Sequence, residues 1–380
     1  MTQTIQGNGD PRDIELLTKY LSAGEDVILQ GEFDFSRSSS ITVNTSVSIV
    51  GDNAAIIDGD TPFIVDAPGG TVTIENLTFK GSVSKALDLV SADKIVVSNC
   101  QIFGVAAVNT NLGTQTNPII FPVATGMVVH AENHIAEIHD NVVNVGGSAN
   151  EFTIGILGAG ASGASGKADF SIYRNTVRNC TRHGIDLRYI NGRSVVMWND
   201  VDLGPVASQP QSLIGRVDLF VNGIRCVGSG DYFVAENKVA CNFENAAGIR
   251  LQGNYDGVKG KVFPIQRAMV VGNDVIMNPT PRMFGPDNAA IELRRAVRNS
   301  CIVENRLQGQ SHAGVSLVAE TSAGGLLTPV GNTLVLPDDD GRLQSDAFVA
   351  VGPKVTDTLI RANLNVVDNG NGTLIFPRIN

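Results

Sequence analysis

A run of apolar, mostly β-branched residues followed by an asparagine recurs along almost the whole of this 380-residue chain. Successive copies are 23 to 42 residues apart, so each unit combines a constant core with an insertion of variable length. The recurring asparagines are Asn76, Asn99, Asn141, Asn175, Asn199, Asn237, Asn273, Asn305, Asn332 and Asn363. A repeat of this period is typical of a solenoid, because such a unit cannot bury its apolar side alone and must stack on its neighbours.

A second kind of short apolar run lies between the asparagine segments. Its copies are ALDL, GMVV, IGIL, GIDL, GIRC, GIRL, AIEL and GVSL. Alternation of apolar and polar residues indicates β-strands, and the stretches between turns show no helical periodicity. Asparagine tolerates the left-handed backbone region and forms local hydrogen bonds, so we expect it in a tight turn. Stacked copies would then bond from coil to coil.

In this pattern the chain resembles the right-handed parallel β-helix family that includes the pectate lyases, over about residues 40 to 370. The resemblance implies three strands per coil: the GIDL-like segment, the segment before the asparagine, and the segment after it. It implies an all-β, single-stranded right-handed parallel β-helix. We count about eleven coils, which would make a solenoid roughly 50 Å long at about 4.8 Å per coil.

The open end of a solenoid exposes apolar core and unpaired strand, so it needs a cap. We predict one domain over residues 1–380, with an N-terminal cap over 1–39, coils over 40–365 and a C-terminal cap over 366–380. The first cap includes a helix near residues 11–22. Its signals are an N-cap, a proline, an apolar face and a terminating glycine, namely Asp10, Pro11, Ile14, Leu17, Leu21 and Gly24.

The acidic balance of the chain limits its partners. The formal net charge is −10 and there is no basic run, so nucleic acid is not a predicted partner. No apolar stretch approaches the ~18 residues that cross a bilayer, so a membrane is not predicted either. The N-terminus lacks a signal-peptide region, so we expect a cytoplasmic protein, or a secreted one if the sequence is a trimmed mature form. The oligomeric state stays open.

The cysteines give no sign of a disulfide framework or a metal site. They are Cys100, Cys180, Cys226, Cys241 and Cys301. Five cysteines cannot all pair, and Cys226 occupies an inward position of its strand, so we interpret all five mostly as small core residues. No metal-ligand spacing occurs among them, and we predict no cofactor.

Charged residues concentrate on the outward positions of the first strands. Alternation along GIDLR sends Ile185 and Leu187 into the core and Asp186 and Arg188 outward. The same rule predicts an outward column of Asp88, Val128, Gly155, Asp186, Arg225, Arg250, Glu292 and Ser316. A second column, two residues on, reads Val90, His130, Leu157, Arg188, Val227, Gln252, Arg294 and Val318. The charged members of both columns fall mainly in the middle coils.

Four long insertions surround the same sheet. Segments 106–125, 205–222 and 278–289 each connect a third strand to the next first strand, so they emerge at one edge. The insertion 253–267, which contains Tyr255, would approach from the opposite edge. Loops of this length are uncommon unless functional or disordered. We therefore predict a groove whose floor is the first-strand sheet.

Two arginines on adjacent coils mark the centre of this groove. Arg225 and Arg250 would lie about 4.8 Å apart, which is mildly unfavourable for like charges. Asp186 and Glu292 could neutralise them in a ladder of the form Asp–Arg–Arg–Glu. Two interpretations stay open: a weakly stabilising charge ladder, or arginines that bind a carboxylate or another small anion.

The second interpretation favours an enzyme acting on a uronate-type anionic saccharide. Removing the proton next to the carboxylate leads to β-elimination or epimerisation, and both need a cation for the developing charge and a base in reach. Arg225, Arg250 and Arg294 are the candidates for holding the carboxylate. We predict lyase-like β-elimination at this site.

The predicted catalytic residues lie beside the same strand. They are His183, Arg188 and Tyr189. The ordinary pKa of histidine, near 6.5, suits His183 as the base, and its alternative role is a turn histidine bonded to a backbone carbonyl. The other predicted substrate contacts are Asp186, Glu292, His130 and Tyr255.

A glycoside hydrolase is the first alternative. It needs two carboxyl groups about 5 to 9.5 Å apart, whereas Asp186 and Glu292 are three coils apart, roughly 14 Å. Loop acids such as Asp218, Asp256 or Asp287 could complete a pair.

An epimerase, a binding module and an enzyme for another small anion are the remaining alternatives. GIDLR resembles the slot where alginate epimerases carry an aspartate followed by proline and histidine. Asp186 matches that aspartate, while Leu187 and Arg188 depart from the rest. A saccharide-binding or adhesion module would need a groove rich in aromatic residues, and these make up 6% of the chain.

Overall fold

The computed structural model describes most of the chain. It covers residues 2–111, 118, 120–148, 151–160, 168–204, 221–242, 246–256, 260–278, 288–322, 325–336, 342–352, 354–361, 366–368 and 374–375. Almost all secondary structure in these residues is β-strand, and one helix, α1 (Pro11–Ser22), lies near the N-terminus.

The strands, in chain order, are β1 Thr2–Asn8, β2 Asp26–Asp34, β3 Ile41–Val43, β4 Val47–Asp60, β5 Phe63–Val83, β6 Lys85–Ser98, β7 Gln101–Phe103, β8 Val108–Asn111, β9 Ile120–His130, β10 Ile135–His139, β11 Val142–Asn144, β12 Phe152–Ala159, β13 Asp169–Tyr173, β14 Thr176–Arg178, β15 His183–Arg188, β16 Arg193–Met197, β17 Asp200–Asp202, β18 Val221–Val227, β19 Asp231–Ala235, β20 Lys238–Cys241, β21 Ala246–Gln252, β22 Asn254–Asp256, β23 Lys261–Phe263, β24 Arg267–Val271, β25 Asp274–Met277, β26 Ala289–Arg294, β27 Cys301–Val303, β28 Arg306–Val318, β29 Glu320–Ser322, β30 Gly325–Leu327, β31 Thr333–Val335, β32 Leu343–Val351, β33 Thr358–Arg361, β34 Val366–Asp368 and β35 Leu374–Ile375.

These strands stack in parallel into three faces. We call them sheet 1, the segments in register with β15; sheet 2, those in register with β16; and sheet 3, those in register with β17. Along each face a strand pairs with its counterpart one coil later in the chain, as β15 does with β18 and β18 with β21. The chain is therefore a right-handed parallel β-helix, as its resemblance implied.

The number of coils can be read from one inward position of sheet 1 that pairs from each coil to the next. Its paired positions are Ile41, Phe63, Leu87, Met127, Ile156, Ile185, Ile224, Ile249, Ile291, Val315, Val349 and Val366. These twelve positions are separated by eleven coil-to-coil steps, which agrees with the sequence-based count of about eleven coils. Sheet 2 extends the parallel stack further towards the N-terminus through β1, β2 and β4. Three antiparallel strand pairs depart from the parallel stack among the described residues: β8–β9, β22–β23 and β29–β30.

A glycine near the start of the sheet 1 strand lets sheet 3 pack closely on sheet 1. A Cβ on Gly184 would lie 2.3 Å from Cγ1 of Val201 and 2.8 Å from the carbonyl oxygen of Gly223. Gly155 and Gly223 meet the same obstacle, because valines of sheet 3 lie 2.4 and 2.1 Å from their ideal Cβ positions. The glycine that opens the GIDL-like segments is therefore a packing requirement of the coil.

The asparagines form a buried ladder between sheets 2 and 3. Its members are Asn141, Asn175, Asn199, Asn237, Asn273 and Asn305. Each Oδ1 accepts the backbone N–H of the preceding coil at 2.9–3.1 Å. Within the ladder each Nδ2 donates to the next Oδ1 at 2.8–3.0 Å. The predicted bonding from coil to coil is confirmed for these six residues.

The left-handed turn residue is mostly not the asparagine, which corrects the expectation. It is the residue before the ladder position, such as Trp198 with φ 56° or Glu236 with φ 52°. Asn76 and Asn99 do have positive φ, at 57° and 52°, because they align with that preceding residue. A buried side chain therefore selects asparagine at the ladder, and the turn takes several residue types.

Two further asparagines do not extend the ladder. Asn332 precedes the sheet 2 strand β31 and accepts the backbone N–H of Ser300 at 3.0 Å, so its turn is the one between sheets 1 and 2. Its sequence-based placement in the ladder was wrong. Asn363 lies outside the described residues.

The N-terminal helix forms as predicted. Asp10 is its N-cap, and Asp13 completes a capping box with it. The helix packs mainly against β1 and β2, which are already paired in parallel with each other and with β4. Its buried residues are Ile14, Leu17 and Leu21. Most of the predicted C-terminal cap, 366–380, lies outside the described residues.

We expect Asn199→Ala to destabilise the protein by about 2–4 kcal/mol, because it leaves buried backbone groups unsatisfied. The Asn199 side chain accepts from the Asn175 N–H and donates to the Ile172 carbonyl. Urea denaturation measures the change. The control is Asn109→Ala at an exposed strand position, expected to stay within about 0.5 kcal/mol. Equal midpoints for the two variants would show that the ladder does not hold the coils.

Candidate functional site

The outward columns of sheet 1 exist, with one coil shifted from the prediction. The first column reads Asp88, Val128, Leu157, Asp186, Arg225, Arg250, Glu292 and Ser316. The second reads His130, Ala159, Arg188, Val227, Gln252, Arg294 and Val318. Gly155 does not belong to the first column, because it aligns with Gly184 near the start of the strand. Leu157 takes its place.

The charged stretch of sheet 1 is buried, although it was expected to floor an open groove. Asp186, Arg250 and Glu292 are each 0% exposed, and Arg225 is 8% exposed. As the alternation requires, these side chains lie on the face of sheet 1 that points away from the core, yet they are shielded from solvent. This burial strengthens their mutual electrostatics and makes each charge costly without a partner.

Asp186 contacts two arginines and a histidine at one end of the stretch. Its Oδ2 accepts from Nε of Arg188 at 2.7 Å, and it lies 3.9 Å from Nη1 of Arg225. The same Oδ2 lies 3.6 Å from Nε2 of His183. Oδ1 of Asp186 is buried with no hydrogen-bond partner among the described residues. One face of the carboxylate is thus anchored while the other has unused accepting capacity.

Glu292 joins two arginines at the other end. Its Oε2 accepts from Nε of Arg250 at 2.6 Å, and its Oε1 accepts from Nη1 of Arg294 at 3.0 Å. Arg294 also donates to Glu320 at 2.7 Å, and Glu320 accepts from Arg295. The predicted ladder Asp–Arg–Arg–Glu is present, and it continues sideways into this second network. Sequence reasoning missed Glu320, because it lies on a hairpin outside the repeat.

His183 is the member of the cluster whose pKa is lowered by burial. It is 0% exposed, and Nη1 of Arg225 lies 3.3 Å from its Nε2. Its Nδ1 lies 3.1 Å from the side-chain amide of Asn222, which can present oxygen or nitrogen to it. Burial lowers the pKa of His183 well below its usual value, and the Arg225 charge lowers it further. The imidazole is therefore neutral at pH 7.

We call this set the sheet 1 cluster. It consists of His183, Asp186, Arg188, Arg225, Arg250, Glu292, Arg294 and Glu320. Seven of these residues are sequence-predicted site residues. They carry a neutral base, several guanidinium groups and three carboxylates, which is equipment for binding an anion and moving a proton beside it.

Tyr189 lies next to the cluster. It has φ 56° at the turn between sheets 1 and 2, its hydroxyl bonds to the side chain of Asn254, and its ring meets Phe263 edge-on at 6.0 Å. Asn254 also accepts from Arg295 at 3.0 Å. The β22–β23 hairpin is thereby fixed beside the cluster, and the half-buried Tyr255 lies on that hairpin.

His130 lies in the coil where the sequence alignment placed it, apart from the sheet 1 cluster. It lies two coils from Arg188 in the second column and bonds Asp88 at 2.8 Å, while Lys85 pairs with the same carboxylate. Asp88, His130 and Lys85 therefore form a separate group of contacts, apart from the sheet 1 cluster. Most of the predicted groove walls, namely 205–220 and 279–287, lie outside the described residues.

Three further observations concern the described residues. No three His, Cys, Asp or Glu side chains gather there as metal ligands, and no described helix is long and apolar enough to cross a membrane. All five cysteines are free thiols, and four are buried in the core as predicted. Cys301 differs, because it is partly exposed on the outer side of sheet 2.

Solved structures share this fold. A variant of the periplasmic alginate epimerase AlgG is 12% identical, with 92% of this chain and 77% of that chain covered and a TM-score of 0.51. DFA-IIIase from Arthrobacter chlorophenolicus A6 in complex with GF2 is 13% identical, with 92% and 93% covered and a TM-score of 0.43. The Dettilon tailspike protein is 14% identical, with 95% and 64% covered and a TM-score of 0.45.

At these identities the likeness concerns the fold. The chain is a right-handed parallel β-helix protein, as the solved structures named above are. No protein-family model and no curated protein matches its sequence. Function must therefore be argued from the residues themselves.

We expect Glu292→Ala to cost about 3–5 kcal/mol, because it removes the carboxylate that both Arg250 and Arg294 contact at full burial. The matched control is Glu137→Ala. Glu137 bonds Lys94 at 2.9 Å across sheet 2 with about a third of its side chain exposed, so its loss should cost about 0–1 kcal/mol. Thermal melting compares the two variants. A Glu292 variant as stable as the Glu137 variant would contradict the buried ion-pair network.

The pKa of His183 also predicts a pH dependence. Because the folded pKa lies below the unfolded value near 6.5, the unfolded state binds the extra proton, and stability falls as the pH drops below that value. The parent protein should lose up to ~1.4 kcal/mol per pH unit from this group. We expect His183→Asn to lose that part of the acid sensitivity. His134→Asn, at an exposed histidine, should keep it, and identical pH profiles for all three proteins would refute the assignment.

Proposed function

We propose that the protein acts on carbohydrate, and that the sheet 1 cluster binds an anionic, uronate-type saccharide and removes the proton next to its carboxylate. The observation that carries this proposal is the contact between a neutral buried histidine and an arginine. Nε2 of His183 lies 3.3 Å from Nη1 of Arg225. A base and a cation at this separation can serve one substrate carbon and its carboxylate together.

The environment of His183 suits a base that must start without its proton. Its lowered pKa keeps the imidazole neutral across the neutral pH range, so that one ring nitrogen carries a lone pair. In this structure Arg225 contacts Nε2, and it would release that nitrogen on turning to the substrate carboxylate. Once it takes the substrate proton, the carboxylate of Asp186 at 3.6 Å stabilises the imidazolium. Asp186 thus offsets the low pKa of His183 at the step in which the imidazolium charge forms.

The arginines would hold the substrate carboxylate and the negative charge that develops on it. Arg225 lies between the histidine and Gln252, and Arg250 is its partner on the next coil. Guanidinium groups bind carboxylates in bidentate fashion. The proton moves from the carbon to Nε2, and the electron pair delocalises into the carboxylate. Expulsion of the leaving group then gives a double bond, whereas reprotonation from the other face gives an epimer.

Proton removal comes before either outcome, so both belong to one proposal. Elimination is our prediction from the sequence. The structural likeness to an alginate epimerase supports reprotonation as the other outcome. Because His183 and Asp186 are 0% exposed, a substrate can reach them only if the protein opens around the cluster.

A binding protein without turnover is the second candidate. Complete burial of Asp186, Arg250 and Glu292 favours it, because a buried network of ion pairs suits recognition and stability better than repeated opening. It differs from the enzyme in one measurable respect, since it would retain ligand without exchanging a proton.

We expect the protein to exchange the uronate C–H proton with solvent. Incubation with alginate, oligogalacturonate and other uronate oligomers in D₂O, followed by NMR, detects this step whichever product forms, and ultraviolet absorbance identifies elimination. His183→Gln should slow the exchange by about 10²–10⁴-fold, and Arg225→Lys should slow it by loss of the bidentate grip.

The control is Arg178→Lys, on sheet 3, where Arg178 pairs with Asp200 at 2.5 Å. It should exchange at the parent rate, and circular dichroism checks that every variant is folded. Binding of a uronate oligomer without deuterium incorporation would establish the binding protein instead. Neither binding nor exchange across the panel would overturn both candidates.

A further inference from the structure

Sheet 2 carries a cavity that the sheet 1 cluster does not use. Its volume is about 370 Å³, and its walls include Arg193, Phe233, Arg267, Met269 and Cys301. A second depression of about 340 Å³ adjoins it and shares Arg193 and Asp231. Together they form a trough on the outer side of sheet 2. The size falls within the range of small-ligand pockets, about 300–1,000 Å³.

The floor of the trough is apolar. Val195, Phe233, Met269 and Cys301 occupy one outward position in four successive coils. Met269 is 45% exposed. The same position holds Ser171 in the preceding coil and Thr333 in the following one. An apolar stripe that begins and ends this sharply on a solvent face marks an interaction site.

The rim of the trough is charged and balanced. Arg193 lies 3.7 Å from Asp169, and Arg267 donates to Asp231 at 2.5 and 3.2 Å. Asp169, Arg193, Asp231 and Arg267 are consecutive in one column, so acids and bases alternate along it. The column presents hydrogen-bond donors and acceptors in equal measure, and its charges cancel. A ligand needs hydroxyl groups here, and it needs no net charge.

The trough is elongated along the solenoid. Its walls run from Asp169 to Cys301 over five coils, a distance of roughly 19 Å at about 4.8 Å per coil. A chain of sugar rings matches this combination. Each ring offers a polarised C–H face to an aromatic side chain and hydroxyl groups to the rim.

We propose that this trough is a binding site for a neutral saccharide chain, with sugar rings on Phe233 and Met269 and hydroxyl groups on the Arg193–Asp231–Arg267 rim. The site lies on a different sheet from the cluster and needs no catalytic residue. It therefore holds with or without the proton-transfer function. If the cluster acts on a polymer, the trough retains a second stretch of saccharide on the same coils.

Cys301 supplies a reporter inside the trough. It is the one partly exposed thiol in the described residues, whereas Cys100, Cys180, Cys226 and Cys241 are buried. Burial raises the pKa of Cys301 as well, so labelling is best run at about pH 8.5, the ordinary thiol pKa, or above. A chromogenic disulfide such as Ellman's reagent will then report on this cysteine, and Cys301→Ser gives the background.

The test is protection of Cys301 by a panel of neutral hexasaccharides of different linkages, including cellohexaose and maltohexaose, with hexagalacturonate as the charged probe. We expect at least one neutral member to slow labelling in a saturable way. Phe233→Ala should weaken the protection about tenfold. Thr333→Ala, at the same column position in the coil beyond the trough, should leave it unchanged.

Four outcomes would overturn the proposal. They are absence of protection across the panel, protection by hexagalacturonate alone, equal protection in Phe233→Ala, and protection that rises with protein concentration without sugar. The last would assign the face to a second copy of the chain. His183→Gln must protect as the parent does, so failure of the proton-transfer function and failure of this site remain distinguishable.

Discussion

The asparagine ladder is the interaction on which the rest of the structure depends, because it sets the register of the coils. Each side chain in the ladder binds a backbone group of the coil before it and the amide of the coil after it. A slip of one residue would turn every outward side chain into the core. The alignment of Asp186, Arg225, Arg250 and Glu292 across four coils follows from that register. The ladder is thus a condition for the site as well as for the fold.

Sheets 1 and 2 both carry arginine–carboxylate ion pairs, but the pairs play different roles on the two sheets. On sheet 2 the ion pairs are exposed, with the Arg267 side chain 75% accessible, so solvent screens them and they add little stability. On sheet 1 the pairs are buried, and each lost partner is expensive. Burial also removes the proton of His183 at neutral pH. The same exclusion of water that makes the cluster costly gives its histidine the protonation state of a base.

Much of this arrangement could be predicted from the sequence, because the period-two alternation and the repeat leave little freedom. The Asp–Arg–Arg–Glu column follows from the alternation and the number of coils from the repeat. The capping helix follows from its own N-cap, proline and apolar face, and the three faces follow from the resemblance to the parallel β-helix family. Gly155 was misplaced because IGIL contains an isoleucine on each side of the glycine, and the close approach of a sheet 3 valine decides between them. Burial of the cluster could not be predicted, since it depends on side chains and chain segments outside the repeat, such as Glu320.

The trough on sheet 2 was missed for a different reason, because only the first strands were aligned into outward columns. Aligned in the same way, the second strands place Arg193, Asp231, Arg267 and Cys301 on the four coils that carry Asp186, Arg225, Arg250 and Glu292. Chemistry-bearing residues therefore gather in the same four coils on two faces. In a solenoid each coil contacts only its neighbours, so a ligand that spans these coils on sheet 2 would also brace the stack beneath the sheet 1 cluster. Binding on one face and rigidity on the other are linked by the shared backbone, without any movement of one sheet against the next.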